Sequence, residues 1–123
     1  MATILIIDDD AEVRDVLSAV IEQAGHAVIA AENGPAGLQK FADERPDRVV
    51  TDIIMPEMDG LEIIASIRLI DPHARVAAIS GGGLMVDASY CMKTASSFGA
   101  FAVMQKPFKI DEVVETVRRC LCR

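Results

Sequence analysis

Five short apolar runs punctuate this chain: Thr3 to Ile7, Ala27 to Ala31, Arg48 to Asp52, Val76 to Ser80 and Phe101 to Gln105. Each is too short for a stable helix, and the β-branched, unbroken character of the first suggests a strand buried on both faces. Between and after them, apolar residues recur with helical spacing. Val13, Val16, Leu17, Val20, Ile21 and Ala24 form the first stripe, which Gly25 stops, with Asp10 placed as N-cap. Asn33-Gly34-Pro35 opens a second helix through Leu38, Phe41 and Ala42, with Gly37 weakening it by about 1 kcal/mol. Leu61, Ile64 and Ile67, flanked by Ile63 and Ile70, line a third; Leu84, Ala88, Cys91, Ala95 and Phe98 a fourth; Ile110, Val113, Val114, Val117 and Leu121 a fifth.

Strands alternating with helices through short connections require a parallel sheet covered on both faces. Right-handed crossovers leave few topologies, and the one expected is an α/β, flavodoxin-like, doubly wound five-stranded parallel sheet of order 2-1-3-4-5, a (βα)5 domain over residues 1–123. In such a sheet ligands bind at the carboxyl ends of the strands. The polar residues falling there are Asp8 and Asp9 after the first run, Asp52 at the end of the third, Ser80 at the end of the fourth and Lys106 after the fifth.

Convergent carboxylates repel one another, and a hard divalent cation resolves the conflict. Mg2+ takes oxygen ligands and typically combines one or two carboxylates with waters and phosphate oxygens. Asp52 is then free to act as a nucleophile on phosphorus. Lys106 would set a point positive charge against the phosphoryl oxygens, and the Ser80 hydroxyl would donate a hydrogen bond to one of them. Taken singly, these residues have blander readings: Lys106 is a surface lysine, Ser80 a turn residue, Asp10 a cap, and Asp59-Gly60 a turn signal.

The formal charge of -7 argues against direct nucleic-acid binding and favours a cation site and protein partners. No apolar run reaches the roughly 18 residues of a membrane span, and the start lacks a signal peptide's basic region, so a soluble, cytoplasmic protein is expected. Cys91, Cys120 and Cys122 lack the spacing of a zinc or thiol-exchange motif and read as reduced, structural residues.

Four motifs, Ile6-Ile7-Asp8-Asp9-Asp10, Thr51-Asp52 through Pro56 to Asp59-Gly60, Ile79-Ser80-Gly81 and Lys106-Pro107-Phe108, stand in order from one end of the chain to the other. Together they resemble a receiver domain of the two-component response-regulator family, in its stand-alone, single-domain form. The resemblance implies that Asp52 is the phosphoacceptor, charged by a partner histidine kinase or phosphotransfer protein. It implies Mg2+ held by Asp8, Asp9, Asp52 and the backbone carbonyl of Ile54, and a phosphoryl group read by Lys106 and Ser80. The expected output is a protein target meeting the face of the fourth helix, fifth strand and fifth helix, with a homodimer left open. Asp10, Glu12, Arg14 and Asp15 form a second face, expected on the kinase side. The chain is expected to be no enzyme in the ordinary sense, only assisting its own phosphorylation and dephosphorylation.

Two departures stand out. The family usually has Tyr or Phe three residues before the lysine, and here that residue is Val103, with Phe101 two positions earlier on the same strand face. Ile54 is apolar where polar residues also occur in the family, which predicts restricted water access and slow self-dephosphorylation. Two other classes compete. A Mg2+-dependent phosphohydrolase with an Asp nucleophile would use Asp8-x-Asp10, but the haloacid dehalogenase signature wants Thr or Val where Glu12 stands. A receiver-like binding module without phosphorylation would not need Asp9, Asp52, Ser80 and Lys106 together.

Overall fold

The structure, a computed structural model, describes residues 2–52, 60–80 and 102–105, together with Asp111 and Glu115. Its elements run in the order β1 (Thr3–Ile7), α1 (Ala11–Gln23), β2 (Ala27–Ala31), α2 (Gly34–Glu44), β3 (Arg48–Asp52), α3 (Gly60–Ile70), β4 (Arg75–Ser80) and β5 (Ala102–Gln105). The strands form one parallel sheet of order β2-β1-β3-β4-β5, the doubly wound arrangement expected from the alternation. β4 begins one residue earlier than the apolar run suggests, and β5 is described from Ala102, Phe101 lying outside the described residues. The fourth helix expected from the sequence, and the fifth apart from Asp111 and Glu115, lie outside the described residues.

Period-two alternation sorts the strand side chains onto two faces. Leu5, Ile7, Val49, Val76 and Ala78 pack with Phe41 of α2 and Ile63, Ile64 and Ile67 of α3. Ile4, Ile6, Val50, Ala77 and Ile79 face Leu17, Val20 and Ile21 of α1. Residues 4–7 of β1 are completely buried because helices cover the sheet on both sides, so the run needs no polar alternation.

The helix ends follow local chemistry. Asp10 caps α1 with extended backbone, its carboxylate accepting the Glu12 N–H at 2.9 Å. Gly25 follows the helix at φ 94°, a conformation that favours glycine, and its N–H donates to the Glu22 carbonyl at 3.0 Å. Asn33 caps α2 by accepting the Ala36 N–H at 2.8 Å, with Pro35 in the first turn. At the far end Arg45 adopts the left-handed conformation, φ 46°, and its guanidinium lies 5.9 Å from the Phe41 ring centroid. Asp47 then ties the entry of β3 to the start of β1: its carboxylate accepts the Thr3 N–H at 2.7 Å and its own N–H donates to the Thr3 carbonyl at 2.8 Å.

Three expectations need correction. Val16 is 47% exposed and Ala24 is exposed at the helix cap, so the buried stripe of α1 is narrower than its apolar spacing suggests. Ile70, 37% exposed, ends α3 beside the fully turned-out Leu69 and does not flank the core. Gly37 is more than a weak point in α2: a Cβ there would stand 2.4 Å from Ile7 Cδ1, so its absence is what lets the helix approach β1.

Candidate functional site

The register of the sheet builds the site. β1 and β3 are neighbours, and Ile7 pairs with Thr51, so the next residues along each strand, Asp8 and Asp52, emerge side by side at the carboxyl rim. This is also where the strand order reverses, since β1 leads outward to β2 on one side and β3 leads to β4 and β5 on the other. A crevice at such a switch point is where open α/β sheets bind ligands.

Asp8, Asp9 and Asp52 each offer a carboxylate oxygen, and the three oxygens lie within 4.8 Å of one another. Asp8 and Asp52 are buried, at 0% and 3% exposure, whereas Asp9 is exposed. The three are therefore not equivalent: two carboxylates sit in the protein and the third stands at its edge. An all-oxygen, anionic set at this spacing suits a small hard cation. Two oxygens on one octahedral Mg2+ are about 3 Å apart when adjacent and about 4 Å when opposite, within modest reach of the observed cluster.

The loop after β1 is held from several directions. The Asp8 N–H donates to the Ala31 carbonyl at 3.2 Å, anchoring it to the end of β2. Asp8 Oδ1 accepts the Asp10 N–H at 2.9 Å, and Arg14 Nη1 donates to the Asp8 backbone carbonyl at 2.8 Å. Arg14, which shares the second candidate face with Asp10, Glu12 and Asp15, is half-buried and engaged with the loop that presents the acids. Lys40 Nζ donates to the Ala30 carbonyl at 2.6 Å, fixing the end of β2 to α2. On β3, the Thr51 hydroxyl donates to the Asp52 backbone carbonyl at 3.1 Å inside the protein. Neither Arg14 nor Thr51 stands out in the sequence: an arginine early in a helix reads as solvated, and a threonine among valines reads as a strand former.

Of the remaining predicted residues, Ser80 is described through its backbone. Asp52 pairs with Ile79, which places Ser80 one residue farther along the same rim, and Ser80 pairs with Gln105. Lys106 is the next residue after Gln105 in sequence; it and Ile54 lie outside the described residues. Val103 pairs with Ala78, while Phe101 lies outside the described residues. His26 serves the fold, its Nδ1 accepting the Ala2 N–H at 3.2 Å. No described helix is long and apolar enough to cross a membrane.

Comparison with known proteins places these features in context. Residues 4–118 match the family model of the response regulator receiver domain. The chain is 37% identical over 123 residues to the chemotaxis protein CheY of Listeria monocytogenes, covering 97% of this chain and 98% of that protein. It is 35% identical over 120 residues to the DNA-binding transcriptional regulator NtrC of Azospirillum brasilense; that match takes in 98% of this chain and spans 24% of NtrC. Among solved structures, a response regulator receiver domain protein from Clostridium thermocellum superposes with a TM-score of 0.90 at 28% identity, covering 98% of this chain and 94% of that one. The phosphohydrolase and the phosphorylation-free module receive no support from these likenesses.

Proposed function

Because the chain belongs to the response regulator receiver family, whose members accept phosphoryl groups in two-component signalling, we propose that Asp52 is its phosphoacceptor. The observation that carries this choice is the unequal setting of the three clustered acids. Asp8 has one oxygen engaged by the Asp10 N–H and a backbone clamped at both ends, and Asp9 stands exposed at the edge. Asp52 ends the central strand of the five, beside β1 on one side and the Ser80 rim on the other.

In the proposed step an Asp52 carboxylate oxygen attacks phosphorus, the bond from phosphorus to the donor's leaving group breaks, and an acyl phosphate remains on Asp52. Asp8, Asp9, Asp52 and the Ile54 carbonyl would hold Mg2+, which when bound supplies charge compensation for the acids and for the incoming phosphoryl oxygens. The Ser80 hydroxyl would donate to one phosphoryl oxygen and the Lys106 ammonium would offset the charge of another. Phosphorylation adds about -1.5 to -2 charge at the rim, giving Ser80 and Lys106 a new target and biasing the segments that follow β4 and β5 between two arrangements. The donor is a histidine kinase or phosphotransfer protein, and the output is a protein target on the face of the fourth helix, β5 and the fifth helix.

The test is intact mass after incubation with Mg2+ and acetyl phosphate, beside Asp52→Ala and a sample with chelator. Wild type gains one phosphoryl group only with Mg2+, and the variant gains none. Equal incorporation in both proteins overturns the assignment.

A further inference from the structure

Thr51 is completely buried, and its backbone is already placed by pairing with Ile7 on one side and Ala78 on the other. Valine has the same shape and serves a buried strand equally well, as Val49 and Val50 do beside it. The hydroxyl is thus the one part of Thr51 that the strand does not require, and burying a hydroxyl is costly unless it is hydrogen-bonded. Its partner is the backbone carbonyl of Asp52, 3.1 Å away.

From that contact we infer that Thr51 is a positioning residue for the acid cluster, its hydroxyl setting the backbone from which the Asp52 carboxylate projects. The Asp52 carbonyl belongs to the peptide plane that leaves β3. The bonds between the Thr51 hydroxyl and that oxygen include both φ and ψ of Asp52, so the hydrogen bond restricts both, and φ is the rotation that directs the Asp52 Cβ. Asp8 is held on its own strand by the Ala31 carbonyl and the Arg14 guanidinium. Thr51 supplies the matching restraint on the β3 side, so both halves of the cluster keep their mutual spacing. Proximity chemistry is sensitive to small misplacements, so losing the restraint lowers cation affinity and phosphoryl uptake together.

This inference rests on the reading of Asp52 as phosphoacceptor, and the experiment separates the two. Thr51→Val keeps shape and removes the hydroxyl; Thr51→Ser keeps the hydroxyl and removes a buried methyl. Mg2+ affinity by calorimetric titration, initial phosphorylation rate with acetyl phosphate, and thermal midpoint are measured for both, with Asp52→Ala alongside. Thr51→Val is expected to lose about fivefold in Mg2+ affinity and in rate, the worth of one ordinary hydrogen bond. Thr51→Ser is expected to match wild type on both while melting at lower temperature, the opposite of what a packing role produces. The inference is overturned if Thr51→Val binds Mg2+ and takes up phosphoryl like wild type, or if Thr51→Ser is as impaired as Thr51→Val. Phosphorylation of Asp52→Ala to the wild-type level would reject the acceptor reading, while the Mg2+ titrations still judge Thr51.

Discussion

Replacing Gly37 by alanine is expected to destabilise the protein, against the ordinary preference of helices. On propensity alone the change should stabilise α2 by about 1 kcal/mol. The new Cβ, however, would meet Ile7 Cδ1 at 2.4 Å, Cγ1 at 2.7 Å and Cγ2 at 3.2 Å. Carbon atoms in contact prefer about 3.5–4.0 Å, so the Cδ1 and Cγ1 contacts are impossible as they stand. Ile7 is fully buried and β-branched, and turning one branch away brings the other toward the helix. Overpacking of this kind costs about 1–3 kcal/mol, and with two branches involved the upper half of that range applies. Less the helix gain, Gly37→Ala should lose about 1–2 kcal/mol, read as a lower urea midpoint at unchanged slope in far-UV circular dichroism. Ile7→Val removes Cδ1 and alone costs about 0.5–1.5 kcal/mol. In the double variant the losses should fall short of their sum by about 1 kcal/mol, since Cδ1, the nearer of the two clashing atoms, is gone while Cγ1 remains. A Gly37→Ala protein more stable than wild type would refute the close approach of α2 to β1.

Other consequences follow from single contacts. Asp10→Ala removes the oxygen that accepts the Glu12 N–H and should cost about 1 kcal/mol in the same unfolding assay; no loss would mean that the cap is replaceable by water. Asp9→Asn should weaken Mg2+ binding by more than about tenfold in a calorimetric titration, while raising the metal-free thermal midpoint by relieving repulsion with Asp8 and Asp52; unchanged affinity would remove Asp9 from the cation site. Ile54→Asn should shorten the phosphoryl half-life by admitting water beside the acceptor, and an equal or longer half-life would reject that role for Ile54.

The sheet was legible because burial on both faces leaves a strand no reason to alternate. Thr3–Ile7 therefore reads as a parallel strand before any pairing is known, and its helical neighbours supply the crossover. The acid cluster followed from the same logic, since strand order alone brings the residues after Ile7 and Thr51 to one rim. Less visible were features that depend on how closely elements approach. Apolar spacing cannot show that Val16 is largely exposed, which depends on how α1 packs on the sheet, or that the helix ends at Gln23 and leaves Ala24 as its cap. Gly37 reads as a helix breaker until Ile7 is seen against it. Arg14 and Thr51 act through backbone carbonyls, and a contact to a main-chain atom leaves no mark in the identity of its partner.

The central assignment is tested most directly by locating the phosphoryl group. An aspartyl phosphate is an acyl phosphate, and borohydride reduces it to homoserine, leaving a stable mark at the acceptor. Wild type phosphorylated with acetyl phosphate and Mg2+, then reduced, digested and mapped by mass spectrometry, should carry homoserine at position 52 and retain aspartate at positions 8 and 9. Homoserine at position 8 or 9, or a phosphoryl group that survives on a serine or histidine, would contradict the account.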